Sequence, residues 1–125
     1  VRAGYIVLMT GVGLSLAGTE ANAEPWACEF TVECVAGEPC DAAAYQITIL
    51  AADHEGRLFL SSVVGDAPIT RLNPDAAPPV SYASAGRNGL AEMITIEADS
   101  TALMTAHIFD GSPMAVTYFG TCEAL

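Results

Sequence analysis

The side chains with the most chemistry to offer in this 125-residue chain are four cysteines, Cys28, Cys34, Cys40 and Cys122. Their spacing includes no C-x-x-C pair, and no histidine lies near the first three, so the pattern is poor for zinc and reads as two disulfides. Cys34 and Cys40 are separated by five residues that include Gly37 and Pro39, a stretch able to fold back into a small closed loop. Cys28 and Cys122 lie near the two ends of the region after residue 23, and they meet if the first and last strands are neighbours, as closure of a barrel requires. The expected pairs are therefore Cys34 with Cys40 and Cys28 with Cys122. In the chain-entropy model the long-range bond contributes about 4 kcal/mol and the short one roughly 2.

The remaining candidates for catalysis or metal binding are weaker. His54 stands between Asp53 and Glu55 just before Gly56, where polar residues serve a turn. His107 shares a strand face with Thr105 and reads as a surface position. No serine sits in a G-x-S-x-G motif, so no nucleophile has an evident base, and the chain is expected to be no enzyme and to have no catalytic residues. The carboxylate pairs Glu29/Glu33 and Glu97/Asp99 are unremarkable in so acidic a chain. Met93, Met104 and Met114 with His107 have the donor types of a soft copper site, but methionines in strands fill cores. With no EF-hand spacing, phosphate loop or C-x-x-C-H present, neither metal nor cofactor is expected. Trp26, two residues before Cys28, is placed to lie as a lid over one end of a barrel.

The elements that hold these residues fall into two parts. Residues 1–23 have the layout of a secretory signal: Arg2, an apolar run over 3–16 (AGYIVLMTGVGLSL), then Ala21-Asn22-Ala23 as a cleavage site before Glu24. The run is shorter than the ~20 apolar residues of a membrane span and is interrupted by Thr10, Gly11, Gly13 and Ser15. Leu16-Ala17-Gly18 is followed by Thr19 instead of the cysteine of a lipoprotein signal, and Val1 reads as an alternative bacterial start codon. The expectation is a bacterial periplasmic or secreted protein, cleaved from 1–23 and left without a membrane anchor, whose residues 24–125 form one domain.

Charge limits the partners of that domain. The chain has a formal net charge of −11, and after residue 23 its only cations are Arg57, Arg71 and Arg87, with no lysine anywhere. Such a polyanion repels nucleic acid and anionic membranes, and stays soluble as a monomer. Complementarity favours a basic protein as partner.

Period-2 alternation runs through 24–125. Segments 28–35 (CEFTVECV), 45–51, 57–64, 67–72, 80–84, 90–98, 102–109 and 114–122 alternate apolar and polar residues between turn signals, of which Asn88-Gly89 is the strongest. In the first segment Cys28, Phe30, Val32 and Cys34 share the apolar face. Connections are too short for parallel crossovers, so about eight strands should form an antiparallel meander, closed or strongly coiled as a barrel. A β-sandwich is the alternative, its crossing made by residues 73–79 (NPDAAPP).

The signal sequence, the early W-x-C-x-F of Trp26 to Phe30, the eight strands and the terminal Gly120-Thr121-Cys122 together resemble the small periplasmic β-barrel proteins of Gram-negative bacteria that include C-type lysozyme inhibitors. That family inserts a Ser/Tyr-bearing loop into the lysozyme cleft, and Ser81, Tyr82 and Ser84 in VSYASAG are the nearest match, while its later Trp-x-x-Lys-Gly segment has no counterpart. The resemblance implies a binding module that inhibits a basic hydrolase, with Ser81, Tyr82, Ser84 and Arg87 as contacts and Arg87 against the partner's catalytic carboxylates. A structural or envelope-interaction protein is the alternative, and a small hydrolase or metal-binding protein ranks last.

Overall fold

The alternation becomes eight antiparallel strands. The computed structural model describes residues 24–86 and 89–125, which hold β1 (Trp26–Val35), β2 (Asp41–Ile49), β3 (Leu58–Ser62), β4 (Gly65–Arg71), β5 (Val80–Ser84), β6 (Leu90–Ile96), β7 (Thr101–Phe109) and β8 (Pro113–Ala124). The expected signal segment and Arg87 lie outside the described residues. Each strand pairs with the next, and β8 pairs back to β1, so the sheet closes into a barrel. Residues 72–79 join the neighbours β4 and β5 instead of crossing between two sheets, which sets the sandwich aside.

Turn chemistry explains the tight connections. Between β2 and β3, the Asp53 carboxylate accepts hydrogen bonds from the backbone N–H groups of Glu55 (2.9 Å) and Arg57 (2.8 Å), and the Gly56 N–H donates to the Asp53 carbonyl (2.9 Å). His54 is an exposed member of this self-contained turn. Between β5 and β6, Gly89 has a φ of 74°, and a Cβ there would lie 2.6 Å from the Phe109 carbonyl oxygen, so the glycine of the Asn-Gly signal serves both backbone conformation and packing.

Inward residues from every strand make one core, including Trp26, Phe30, Ile47, Ile49, Leu60, Ile69, Val80, Tyr82, Ile94, Ile96 and Met104. The first strand departs from simple alternation. A β-bulge between Phe30 and Val32 turns Val32 outward to pair with Phe119 and places Glu33 opposite Tyr118. Val32 and Cys34 therefore do not share the inner face with Cys28 and Phe30 as the alternation predicts. The bulge also presses the β1 backbone against β8 at Gly120: a Cβ there would run into the Glu29 carbonyl oxygen and lie 2.6 Å from the Phe30 Cα.

Both disulfides form as expected from the spacing. Cys28 and Cys122 are directly opposite on β1 and β8 and bonded across the seam that closes the barrel. Cys34 and Cys40 staple the β1–β2 connection, immediately beyond the Glu33/Asp41 pair. Bonds of this kind belong to an oxidising environment.

Candidate functional site

An up-and-down barrel gathers alternate connections at opposite ends, and the two ends of this one differ in chemistry. The end that carries the β2–β3, β4–β5 and β6–β7 connections is sealed. Trp26 is buried across it, and the carboxylate of Glu24 accepts hydrogen bonds from Arg71 Nε (3.0 Å) and Nη2 (2.9 Å) and from the Tyr82 hydroxyl (2.5 Å). The Glu24 side chain is only 6% exposed. Burial alone would raise its pKa, but the hydrogen bonds from Arg71 and Tyr82 and the guanidinium charge outweigh burial and hold it below the ordinary glutamate value. Burial, then the carboxylate beside it, pushes the Tyr82 phenol far above the usual range. Trp26 Nε1 is buried in the same place without a hydrogen-bond partner among the described residues.

Tyr82 is thus corrected from a surface contact to a core residue. Val80, Tyr82 and Ser84 are the inward positions of β5, and the only polar atom of Tyr82 is spent on Glu24. Ser81 points outward and exchanges a hydrogen bond with Thr95 (2.7 Å), and Ser84 faces inward at the far end of the strand. The three residues do not form one contact surface. The copper set is separated by the same alternation, since Met104 is in the core while Met93, Met114 and His107 are exposed. Among the described residues, no three or more His, Cys, Asp or Glu side chains are grouped to hold a metal ion.

The opposite end, with the β1–β2, β3–β4, β5–β6 and β7–β8 connections, is open. Strand β5 pairs with β4 only over residues 69–71, so residues 65–68 run on past it with no partner on that side, and a cleft of about 300 Å³ opens in the wall. Leu60, Ser62, Val64, Ala67, Ser84 and Glu92 line it. Glu92 is 9% exposed, and its backbone N–H donates to the Ser84 hydroxyl (2.8 Å) while its carboxyl has no hydrogen-bond partner among the described residues. Burial raises its pKa. Nearby Tyr45 and Tyr118 pack with ring centroids 5.0 Å apart, and burial followed by the neighbouring Glu33 pushes the Tyr118 phenol up to about 12. The rim itself is apolar: Val63 and Val64 are 89% and 77% exposed at the tip of the β3–β4 turn, and Phe109 and Met114 border a shallow depression of about 590 Å³.

The chain matches no family model, no curated protein and no solved structure. Its functional reading therefore rests on this geometry. Glu92 was legible in principle, because LAEMITI places Glu92 on the same face as Ile94 and Ile96, and a carboxylate among inward β positions is a signal in its own right.

Proposed function

We propose that this chain is an exported, non-catalytic binding module that takes a basic protein at its open end, with inhibition of a basic hydrolase such as lysozyme as the most concrete form. The observation that carries this reading is that the acids of the open end surround exposed apolar side chains and have no described arginine among them. Glu33, Glu38, Asp41, Asp66, Glu92 and Asp110 belong to the open end; the sealed end is acidic too, with Glu24, Asp53, Glu55, Asp75, Glu97, Asp99 and Glu123, but it holds both described arginines. Both of those are paired there: Arg57 with Asp53 (2.9 Å) and Glu55 (2.7 Å), Arg71 with Glu24 (2.9 Å). An acidic rim around exposed Val63, Val64 and Phe109 suits a partner surface of cations around an apolar patch. Arg87 falls by sequence in the β5–β6 connection at the same end, and in this reading it is the residue that meets the partner's carboxylates.

Steering by that rim should show in kinetics. Stopped-flow mixing of the oxidised protein with lysozyme at two salt concentrations is expected to give association about tenfold slower at the higher salt, with dissociation little changed. Asp66→Lys with Asp110→Lys should slow association further, while Glu97→Lys at the sealed end should not. Absence of both binding and inhibition at micromolar protein would remove the lysozyme form of the proposal. Salt-insensitive association would remove steering.

Export has its own consequence. Cleavage between Ala23 and Glu24 leaves Glu24, whose carboxylate ties Arg71 and Tyr82, as the first residue of the mature chain. Mass spectrometry of protein from the periplasm or medium should find Glu24 at the terminus. A chain that keeps Val1 there, or begins after Glu24, contradicts the proposed processing.

A further inference from the structure

Glu92 is 9% exposed and, unlike the equally buried carboxylate of Glu24 with its Arg71 and Tyr82 partners, has no cation or hydrogen-bond donor set against its carboxyl among the described residues. Among the described residues, every element around it presents a neutral group or another acid. Strand β2 offers Tyr45, β3 Ser62, β4 Asp66, β5 Ser84, β7 Ala106 opposite Glu92 in register, and β8 Tyr118, behind which stands Glu33 of β1. An ionised carboxylate in that setting is costly until a positive charge arrives. The cleft leaves a way in, because Glu92 is one of its lining residues and β4 over 65–68, paired with β3, has no partner on its β5 side along the same opening.

We infer that this cleft is a binding site for a guanidinium or primary ammonium group on a short alkyl stem. The carboxylate of Glu92 takes the cation, the hydroxyls of Ser62 and Ser84 and the unpaired β4 carbonyls are the remaining acceptors, and Leu60, Val64 and Ala67 cover the methylenes. At about 300 Å³ the cleft is at the small limit of ligand sites, which suits a group the size of an arginine or lysine side chain. Such a group reaches the site either as a free amine or guanidine or as a side chain of a bound protein. The second source rests on the reading that the open end takes a basic partner. The first does not.

The direct probe is n-butylguanidinium chloride titrated into the oxidised full domain, followed by backbone NMR at Ala67, Ser84 and Glu92 and by the Glu92 side-chain carboxyl resonance. Saturable shifts at those residues are expected, with the Glu92 titration moved to lower pH by bound cation and N-butylurea, a neutral analogue, at least tenfold weaker. Glu92→Gln should abolish the preference for guanidinium over urea. Equal binding of the two probes by the wild-type protein, or no shift at these residues, overturns the inference without any variant having to fold. Competition between lysozyme and butylguanidinium assigns the site to a partner's side chain, and simultaneous binding assigns it to a free cation. Butylguanidinium binding without any basic partner keeps this site and defeats the reading of the previous subsection, while partner binding with an unresponsive Glu92 does the reverse.

Discussion

Replacing Cys28 and Cys122 together by alanine is expected to cost about 4 kcal/mol and lower the melting temperature by roughly 20 °C or more, because this bond closes a loop of nearly the whole domain. Its two residues are 94 apart in sequence, against 6 for Cys34 and Cys40. The chain-entropy argument therefore gives the short bond only about 2 kcal/mol. Position reinforces the ranking. Cys28 and Cys122 are both 3% exposed and their deletion leaves a void in the core at the β1/β8 seam, whereas Cys34 and Cys40 stand at the open rim. Against the 5–15 kcal/mol typical of a whole domain, the long bond is a large share of what holds the barrel shut. Thermal and urea unfolding of the two double variants, each without a leftover thiol, measures the difference directly. A Cys34→Ala/Cys40→Ala protein that loses as much as the seam variant would show that loop length is not the controlling quantity.

The same seam shows what the amino-acid order reveals and what it conceals. Strand identity is local, so alternation in YQITILA or LAEMITIEA and the Asn88-Gly89 signal suffice to place β2, β6 and the turn before β6. Cysteine pairing followed from one global assumption, barrel closure, and holds because that assumption does. The bulge after Phe30 is different in kind. Nothing in CEFTVECV marks an extra residue, and the reason for it lies ninety residues away in Gly120, whose missing side chain admits the β1 backbone. Strand β2 likewise begins at Asp41, ahead of the alternating YQITI, because the Cys34/Cys40 staple and β1 extend its pairing. At the sites, Glu24 and Arg71 are 47 residues apart and meet only through the registers of successive strands, so no motif announces them. Likeness to an inhibitor loop places Tyr82 outward, although Val80, Tyr82 and Ser84 alternate as the inward residues of β5. The local period is the better guide there.

Glu24→Gln should destabilise the domain by about 2–3 kcal/mol at neutral pH, and the loss should shrink as pH falls. The variant keeps the shape of the side chain but leaves Arg71, whose side chain is 27% exposed, without its countercharge, and weakens the acceptor for the buried Tyr82 hydroxyl. The sign of the pH effect follows from the direction of the shift. Although burial opposes it, the folded state holds this carboxyl below its ordinary value, so the stabilisation is present above the unfolded pKa near 4.5 and is lost as pH falls through the folded one. Asp53, half-buried in its turn, and Asp99, exposed, are also held low, by hydrogen bonds from Arg57 and Thr101 respectively, and share the acid limb. Glu92 works in the opposite sense: burial raises its folded pKa, so its contribution is complete below the unfolded value and is lost as pH rises through the folded one. Melting curves of wild type, Glu24→Gln and Glu92→Gln from about pH 3 to pH 8 separate the two ends of the barrel. The Glu24→Gln deficit should narrow toward the acid limit, and Glu92→Gln should gain on the wild type as pH rises. A deficit for Glu24→Gln that stays constant across the range would mean that side-chain packing, and not the ion pair with Arg71, closes the sealed end.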